Sequence, residues 1–355
     1  MTALDYVIRG AGCSGLSLAY EMDLHGLLDH HRLAIVDPRA GYERDKTWSF
    51  WSVSEHNFKD CVVGRWSRFR VNTGDTMREV PCEGTPYESI DSGLFYEKVL
   101  ARLKKNPRIQ FVRDPSEVDE TEALVFNSVP DATADSTKTW QHFKGIEVQT
   151  DTPVFDPDTV TLMDFDCDQR DQVHFYYVLP FARNRALIET TWLGPLDVGR
   201  DDYDVQLQSY VQRRFGAGRY TVVFKEQGAI PLFEMSPSQK GNVVNIGSNG
   251  GMTRLSTGYA FLNIQEHSRY IRQNIDEIKK RAPFQIGSRY RMLDKIFLRV
   301  LASRPELMPS IFGKFFSGRA SDAIAFLSNT GRWQGDLSTI WQMPKGPFML
   351  ALLGL

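Results

Sequence analysis

Cysteine is scarce in this chain of 355 residues, and none of the four (Cys13, Cys61, Cys82, Cys167) belongs to a CxxC pair. Spacing this wide argues against both a zinc knuckle and a disulfide framework, so a reducing compartment is the simplest expectation. Histidine offers no metal pattern either. His30 and His31 are adjacent, and sequence neighbours rarely point at one ion, so no metal is expected. An excess of one charge is also missing: a formal net charge of −2 gives no global pull toward nucleic acid, and an electrostatic partner must be sought in a local patch. Long apolar runs are absent. The longest tract, Phe-Met-Leu-Ala-Leu-Leu over 348–353, is far short of the roughly 20 residues that cross a bilayer. The chain enters a strand pattern almost at once, without a basic head and apolar run, so no signal peptide is expected. What remains, 42% hydrophobic and 24% charged residues, suits an ordinary globular protein of two subdomains or more.

The most informative stretch is the beginning. Tyr6-Val7-Ile8-Arg9 fits a buried strand that turns through Gly10-Ala11-Gly12-Cys13-Ser14-Gly15 into a helix, expected from 14 to about 27. Gly10 permits the tight turn, Gly12 lets backbone amides approach a pyrophosphate, and Gly15 lets the helix pack closely on the strand. Leu33-Ala34-Ile35-Val36 reads as a second strand ending in Asp37, which follows Gly15 by 22 positions. That is close to the roughly 20-residue spacing of an acid that holds a ribose hydroxyl. Glycine triplets also occur in plain turns, but the order of strand, glycines, helix, strand and acid favours a dinucleotide site. Arg9 departs from the apolar residue usual before the first glycine.

Further along, Thr47-Trp48-Ser49-Phe50-Trp51 packs three aromatics into five residues. These either form a satellite core cluster or wall an apolar pocket. Residues 62–86 read as short strands outside the nucleotide domain, followed by a helix over 93–105 and two more strands of the first sheet at 109–112 and 124–127. From 131 to 234 strands and turns alternate, which suggests an inserted antiparallel sheet. Its clearest piece is a hairpin with arms at 174–181 and 186–192 and a turn at 182–185. A period of two puts Leu187, Glu189 and Thr191 on one face and Ile188, Thr190 and Trp192 on the other. After the strand 243–247, Gly250-Gly251 precedes a helix to about 280, either repeating the anion-site logic of the N-terminus or marking a plain loop. From 288 onward the pattern is helical. Lys279, Lys280, Arg281, Arg289, Arg291, Lys295, Arg299, Arg304, Lys314 and Arg319 lie there among Phe297, Phe315 and Phe316, a mixture that fits either an anionic membrane surface or a solvated helical face.

Taken in order, these segments resemble the bacterial-type, flavin-dependent lycopene beta-cyclases. The resemblance runs from Tyr6 to the C-terminal end. It is carried by the N-terminal glycines, Asp45-Lys46-Thr47-Trp48-Ser49-Phe50-Trp51, Tyr87-Glu88-Ser89-Ile90, Leu162-Met163-Asp164-Phe165, Phe175-Tyr176-Tyr177-Val178-Leu179-Pro180, Ala186-Leu187-Ile188-Glu189-Thr190-Thr191, Glu226-Gln227-Gly228-Ala229-Ile230-Pro231 and Ser256-Thr257-Gly258-Tyr259. It implies an α/β fold like p-hydroxybenzoate hydroxylase: a discontinuous Rossmann-type FAD-binding domain over 1–61, 87–130 and 235–287, an antiparallel substrate domain over 62–86 and 131–234, and a helical region over 288–355. Also implied are reduced FAD, NADPH as its reductant, a peripheral place on the cytoplasmic face of a membrane, and redox-neutral cyclisation of a linear carotenoid such as lycopene. Gly10, Ala11, Gly12, Cys13, Ser14, Gly15, Asp37, Gly247, Gly250, Gly251, Met252 and Thr253 would then hold the cofactor, and Trp48, Phe50, Trp51, Tyr177, Thr257 and Tyr259 would line the substrate pocket.

Beta-ring formation needs a proton delivered to a terminal double bond, closure of the cation by a neighbouring double bond, and loss of a proton, all with water excluded. A carboxylic acid in an apolar cleft suits the first step, because burial raises its pKa. From the residues alone Glu189 reads as a solvent-facing strand carboxylate; the resemblance makes it the catalytic acid. Thr190 follows it where many relatives carry a second acid, so the proton acceptor has to be sought elsewhere. Two rivals stay open: a flavin monooxygenase or polyene reductase on the same fold, and a lipid-binding escort without chemistry.

Overall fold

The apolar segment Tyr6–Arg9 lies at the centre of a five-stranded sheet in the computed structural model, which describes residues 3–130, 135–216, 218–235 and 241–354. Leu33–Val36 and Leu124–Asn127 flank it, with Ile109–Val112 and Val243–Asn245 at the edges. Every pairing is parallel, so each connection must cross a face of the sheet. Helices Cys13–Leu24, Ser92–Leu103 and Phe261–Gln273 share one core with these strands, built on Ile8, Leu16, Phe95, Phe126 and Phe261. Each such side chain stabilises the fold by roughly 1.5–3 kcal/mol on burial. That packing holds the first helix, whose first turn has neither an acidic residue nor a side-chain cap. The helix stops at Leu24, short of the expected 27, because Gly26 takes a left-handed φ of 74°. The third also ends early, at Gln273, and Ile275–Glu277 forms a separate turn.

The second sheet has seven strands in the order Tyr220–Pro231, Trp140–Thr150, Arg185–Gly194, Val173–Ala182, Thr159–Asp164, Arg68–Asn72, Met77–Pro81. It departs from the purely antiparallel expectation in one place: Thr159–Asp164 runs parallel to Arg68–Asn72. The reason is topological, since the last two strands come from an earlier excursion of the chain and do not share a hairpin with the rest. Nor do all of residues 62–86 join this sheet. Val62–Trp66 pairs instead with Tyr87–Asp91, which also pairs with Thr47–Trp51, giving a third sheet of three strands. The central hairpin turns more tightly than expected, with Ala182 already paired to Arg185.

One face of the seven-stranded sheet is covered by the helix Tyr203–Phe215 through Ile146, Val148, Ile188 and Leu207. The other meets the C-terminal helices Ser288–Ser303, Met308–Phe315, Ala320–Leu327, Trp333–Gln342 and Lys345–Leu353 through Leu179, Leu187, Phe312 and Phe315. A buried ion pair ties these helices to the nucleotide side. Arg254 Nε donates to both carboxylate oxygens of Asp294 at 2.8 and 2.9 Å, and Arg254 Nη1 donates to the carbonyl of Phe326 at 2.7 Å.

The glycines of the first turn differ in what surrounds them. A Cβ at Gly15 would sit 1.9 Å from the Gly10 carbonyl oxygen, whereas at Gly12 no atom lies within 4 Å. Gly15→Ala is therefore expected to destabilise the protein by about 2 kcal/mol or more, and Gly12→Ala, which only weakens the N-cap, by about 1 kcal/mol or less; thermal melts of the two variants check the contrast.

Candidate active site

Two glycine loops meet at the start of the first helix. Gly10 has φ +88°, and a Cβ there would lie 2.4 Å from Ser128 Oγ, so only glycine fits this turn. The helix begins at Gly12 with no side chain on its first amides, leaving its positive end open toward the empty space beside Gly12. From the other side comes the loop after Val243–Asn245. Gly247, with φ +64°, is pressed against Ser14, where a Cβ would come within 2.8 Å of the serine's own. The Met252 amide donates back to the Gly247 carbonyl at 3.0 Å, and the Thr253 and Ser248 hydroxyls are 2.9 Å apart. Gly10, Ala11, Gly12, Cys13, Ser14, Gly15, Gly247, Gly250, Gly251, Met252 and Thr253 thus belong to two loops that converge on one place.

Asp37 has a further duty at this place. Its carboxylate accepts from the Ala11 amide at 2.7 Å and from the Arg39 amide and Nε at 3.0 and 2.9 Å. Arg39 Nη2 in turn donates to the Ala11 carbonyl at 2.7 Å. Burial works against the charge, yet these hydrogen bonds hold the Asp37 pKa below the usual carboxylate value. Asp37 and Arg39 therefore clamp the glycine turn, a partnership that the 22-residue spacing did not reveal.

The chemistry-bearing group lies on the seven-stranded sheet. Gly145 pairs with Glu189 on one neighbouring strand and with Glu226 on the other. Cross-strand partners share a face, so the two glutamates converge over the glycine. A Cβ at Gly145 would be 2.9 Å from Glu189 Cγ and 3.1 Å from Glu226 Cγ; the missing side chain is what lets them approach. Glu189 is 8% exposed and Glu226 4%. Burial raises the Glu189 pKa well above the ordinary carboxyl value, and the neighbouring Glu226 raises it further, against a lowering by Lys46. Burial raises Glu226 as well, opposed by Glu189, Lys46, Thr47 and Arg44. The Lys46 ammonium is itself directed at the carbonyls of Gln227 and Asp45, each at 3.0 Å. Neither oxygen of Glu226 receives a protein hydrogen bond of ordinary geometry; the Thr47 hydroxyl stands at looser range. Two carboxyl groups this close and this dry oppose each other's ionisation, so burial and mutual proximity favour a neutral form within the pair.

Glu226 was legible only as part of a motif, without a role. The signal that marks it is a glycine in mid-strand, which signals close approach of neighbours. Thr190, which follows Glu189, points to the opposite face, against His174 and Gln206.

Beside the pair stands a cluster of hydroxyls. Tyr177 pairs across the strands with Glu189, and its hydroxyl donates to that of Tyr87 at 3.0 Å, which lies 3.3 Å from that of Tyr259. Burial pushes the phenols of Tyr87 and Tyr177 well above their usual pKa and that of Tyr259 to about 12, so all three stay neutral. Thr257 braces this corner by accepting from the Tyr259 amide at 3.2 Å. The aromatics of Thr47–Trp51 divide. Phe50 and Trp48 stack on Phe261 at 4.8 and 5.9 Å inside the nucleotide-side core, because alternation turns them away from the sheet. Trp51 turns the other way and meets the Tyr87 ring at 4.7 Å.

The C-terminal helices enclose an apolar cavity of about 250 Å³, lined by Phe297, Phe312, Phe315, Phe348 and Met349 and bordered by Ser256. Several of the basic residues expected on a membrane face are engaged within the protein: Arg289 with Asp336 at 2.7 Å, Lys295 with Glu234 at 3.0 Å, Arg281 with Glu277 at 3.1 Å. Exposed apolar side chains gather instead on the last two helices, among them Trp333, Leu337, Trp341 and Leu353. Among the described residues no group of three or more potential metal ligands occurs.

A parallel sheet with two converging glycine loops, joined to a sheet carrying buried acids, defines an α/β fold of the p-hydroxybenzoate hydroxylase-like kind. Solved structures share it. A geranylgeranyl bacteriochlorophyll reductase-like protein from Thermoplasma acidophilum matches with TM-score 0.68 at 10% identity over 97% of each chain. A flavin-dependent brominase matches with TM-score 0.64 at 11% identity over 96% of this chain and 97% of its own. A probable FAD-dependent monooxygenase from Pseudomonas aeruginosa gives 0.53 at 11% identity over 95% and 99%. Within that fold the chain belongs to the lycopene cyclase family, matching the family described as Lycopene cyclase protein over residues 5–353. Curated relatives include a chloroplastic neoxanthin synthase of Solanum tuberosum, 25% identical over 72% of this chain and 57% of its own length, and a lycopene beta cyclase of Capsicum annuum, 23% identical over the same shares. The match thus spans little more than half the length of these relatives.

The buried acid also leaves a mark on stability. Its folded pKa lies above the unfolded value, so the relative stability is fully present below the unfolded pKa and is lost as pH rises through the folded one. Glu189→Gln removes that loss: its Tm is expected to exceed wild type at pH 8, by roughly 2–4 °C per kcal/mol relieved, and to match it near pH 4, as read by scanning calorimetry.

Proposed function

We propose that this chain is a carotenoid cyclase that closes the linear ends of lycopene, or a like linear carotene, to β-ionone rings by acid-base chemistry without net redox change. The observation that carries the reading is the carboxyl pair Glu189 and Glu226, converging over Gly145 and buried on the sheet face of a lycopene cyclase family fold. A hydrocarbon offers no polar handle, so its double bond needs an acid kept protonated at neutral pH and a place that water does not reach. Glu189 meets both conditions. It gives its proton to the terminal double bond, and the tertiary cation is attacked by the neighbouring double bond to form the ring. The rings of Tyr177, Tyr87 and Trp51 offer π faces to the positive charge, and the neutral hydroxyls of the two tyrosines offer no anion that would trap it.

FAD fits the converging loops: the open helix end with Gly10, Gly12 and Gly15 suits a pyrophosphate, the Gly247–Gly251 turn lies alongside, and Asp37, engaged by Ala11 and Arg39, holds the turn in place. When bound in its reduced form it supplies an electron-rich ring system that favours positive charge, with NADPH as the proposed reductant. The substrate reaches the acid from a membrane surface. The stripe Trp333, Leu337 and Trp341 and the neighbouring Lys345 suit the lipid interface, and the apolar cavity is bordered both by Lys345 and by Ser256, three residues before Tyr259 of the tyrosine cluster. No described helix is long and apolar enough to cross a membrane, so the attachment proposed is peripheral, on a cytoplasmic face.

Anaerobic incubation of the full chain with reduced FAD and lycopene tests the reading. The expected product is an isomer of unchanged mass with no hydride donor or oxygen consumed; oxygen- or hydride-coupled product would instead identify a monooxygenase or reductase. Glu189→Gln is expected to lower ring formation by about 10²–10⁴-fold at normal flavin content, whereas an escort without chemistry would be indifferent to it. Gly12→Val fills the space beside the helix end and is expected to purify without flavin, as its absorption spectrum would report. Replacing Trp333 and Trp341 by Glu is expected to abolish flotation with anionic liposomes while leaving the melt unchanged.

A further inference from the structure

We propose that Glu226 is the proton acceptor of the ring closure, taking the proton that the new ring gives up and returning it to Glu189 across Gly145. This assignment rests on the cyclase reading above.

The acceptor must stand on the same dry face as the donor, with lone pairs free of protein donors. Three buried acids stand on this face of the strands Trp140–Thr150, Arg185–Gly194 and Tyr220–Pro231. Glu147 is committed elsewhere, ion-paired to Arg44 at 2.7 Å and to Arg185. Glu189 is the donor. Glu226 remains, buried, placed opposite Gly145, with no ion pair and with Glu189 as its facing carboxyl partner. A group this costly to bury unpaired is accounted for when its partner is a proton that comes and goes.

The balance closes on the pair. Glu189 loses its proton to the terminal double bond, and a carbon–carbon bond forms between the resulting cation and the neighbouring double bond. The C–H bond beside the new cation then breaks, its electrons become the ring double bond, and the proton passes to the Glu226 carboxylate. Glu189 is now ionised and Glu226 protonated; transfer of one proton between the two carboxyl groups restores the start. No electron leaves the substrate, and no water is needed.

The other charged and titratable groups facing the pair are Arg44, Lys46 and Thr47 from the segment leading into Thr47–Trp51, Glu147 on the intervening strand, and Tyr177 beyond Glu189. With one proton on the pair, activity requires the singly protonated state. The rate falls at low pH, when Glu226 is protonated and cannot accept, and again at high pH, when Glu189 has lost its proton.

The test uses the full chain with reduced FAD and lycopene, comparing kcat against pH for wild type and Glu226→Gln, with flavin content and Tm measured in parallel. The expected result is a loss of at least about 100-fold in kcat at normal flavin content, with disappearance of the acidic limb and retention of the alkaline one. Activity within about threefold of wild type, or a surviving acidic limb, overturns the assignment while leaving the cyclase reading intact. A wild type that closes no ring ends that reading and this assignment with it. If Glu226→Gln does not fold with flavin, Glu226→Asp decides: a displaced acidic limb supports the acceptor role, and an unmoved one overturns it.

Discussion

Two carboxyl groups meeting over a glycine in a dry sheet form the constraint on which the rest of this structure turns. Burial raises both pKa values, and Lys46 and Arg44, though near, do not offset it. The contrast lies two residues away. Glu147 occupies the same face of the central strand and is fully buried, but Arg44 and Arg185 close on it from either side. One acid is settled by ion pairs, and the other two face each other without one.

Everything around the pair keeps it dry and in place. The opposite face of the sheet is sealed by the helix Tyr203–Phe215, against which Thr190 and Tyr176 are held by Gln206. The near face is closed by the tyrosine cluster and the C-terminal helices, and these helices are anchored by the buried Arg254–Asp294 pair. Arg254 follows directly on the glycine loop that closes over the first helix. The glycine loop, the sheet and the helical cap are therefore joined through one short stretch, residues 247–259.

The aromatic residues show how the same composition serves two ends. Trp48 and Phe50 stack on Phe261 and consolidate the nucleotide-side core, while Trp51, one residue on, joins the tyrosines near the acid. The C-terminal helices repeat the division: Phe312 and Phe315 fill the interior, and Trp333 and Trp341 stand in solvent. The exposed Trp333 follows Arg332, and the exposed Trp341 carries the Lys345 ammonium over its ring.

By itself the sequence determined what is local. The strand, glycine turn and helix of residues 6–24, the alternation that puts Glu189 with Leu187 and Thr191, and the helical nature of the C-terminal region all follow from φ/ψ preferences and periodicity over a few consecutive residues. Only the tertiary structure decided the partners: Arg39 on Asp37, the inward turn of Trp48 and Phe50, the parallel join of Thr159–Asp164 to Arg68–Asn72, and above all Glu226 beside Glu189. Register between strands far apart in the chain is set by the whole core, and a shift of one residue would carry Glu226 to the far side of the sheet. No window of neighbouring residues holds that information.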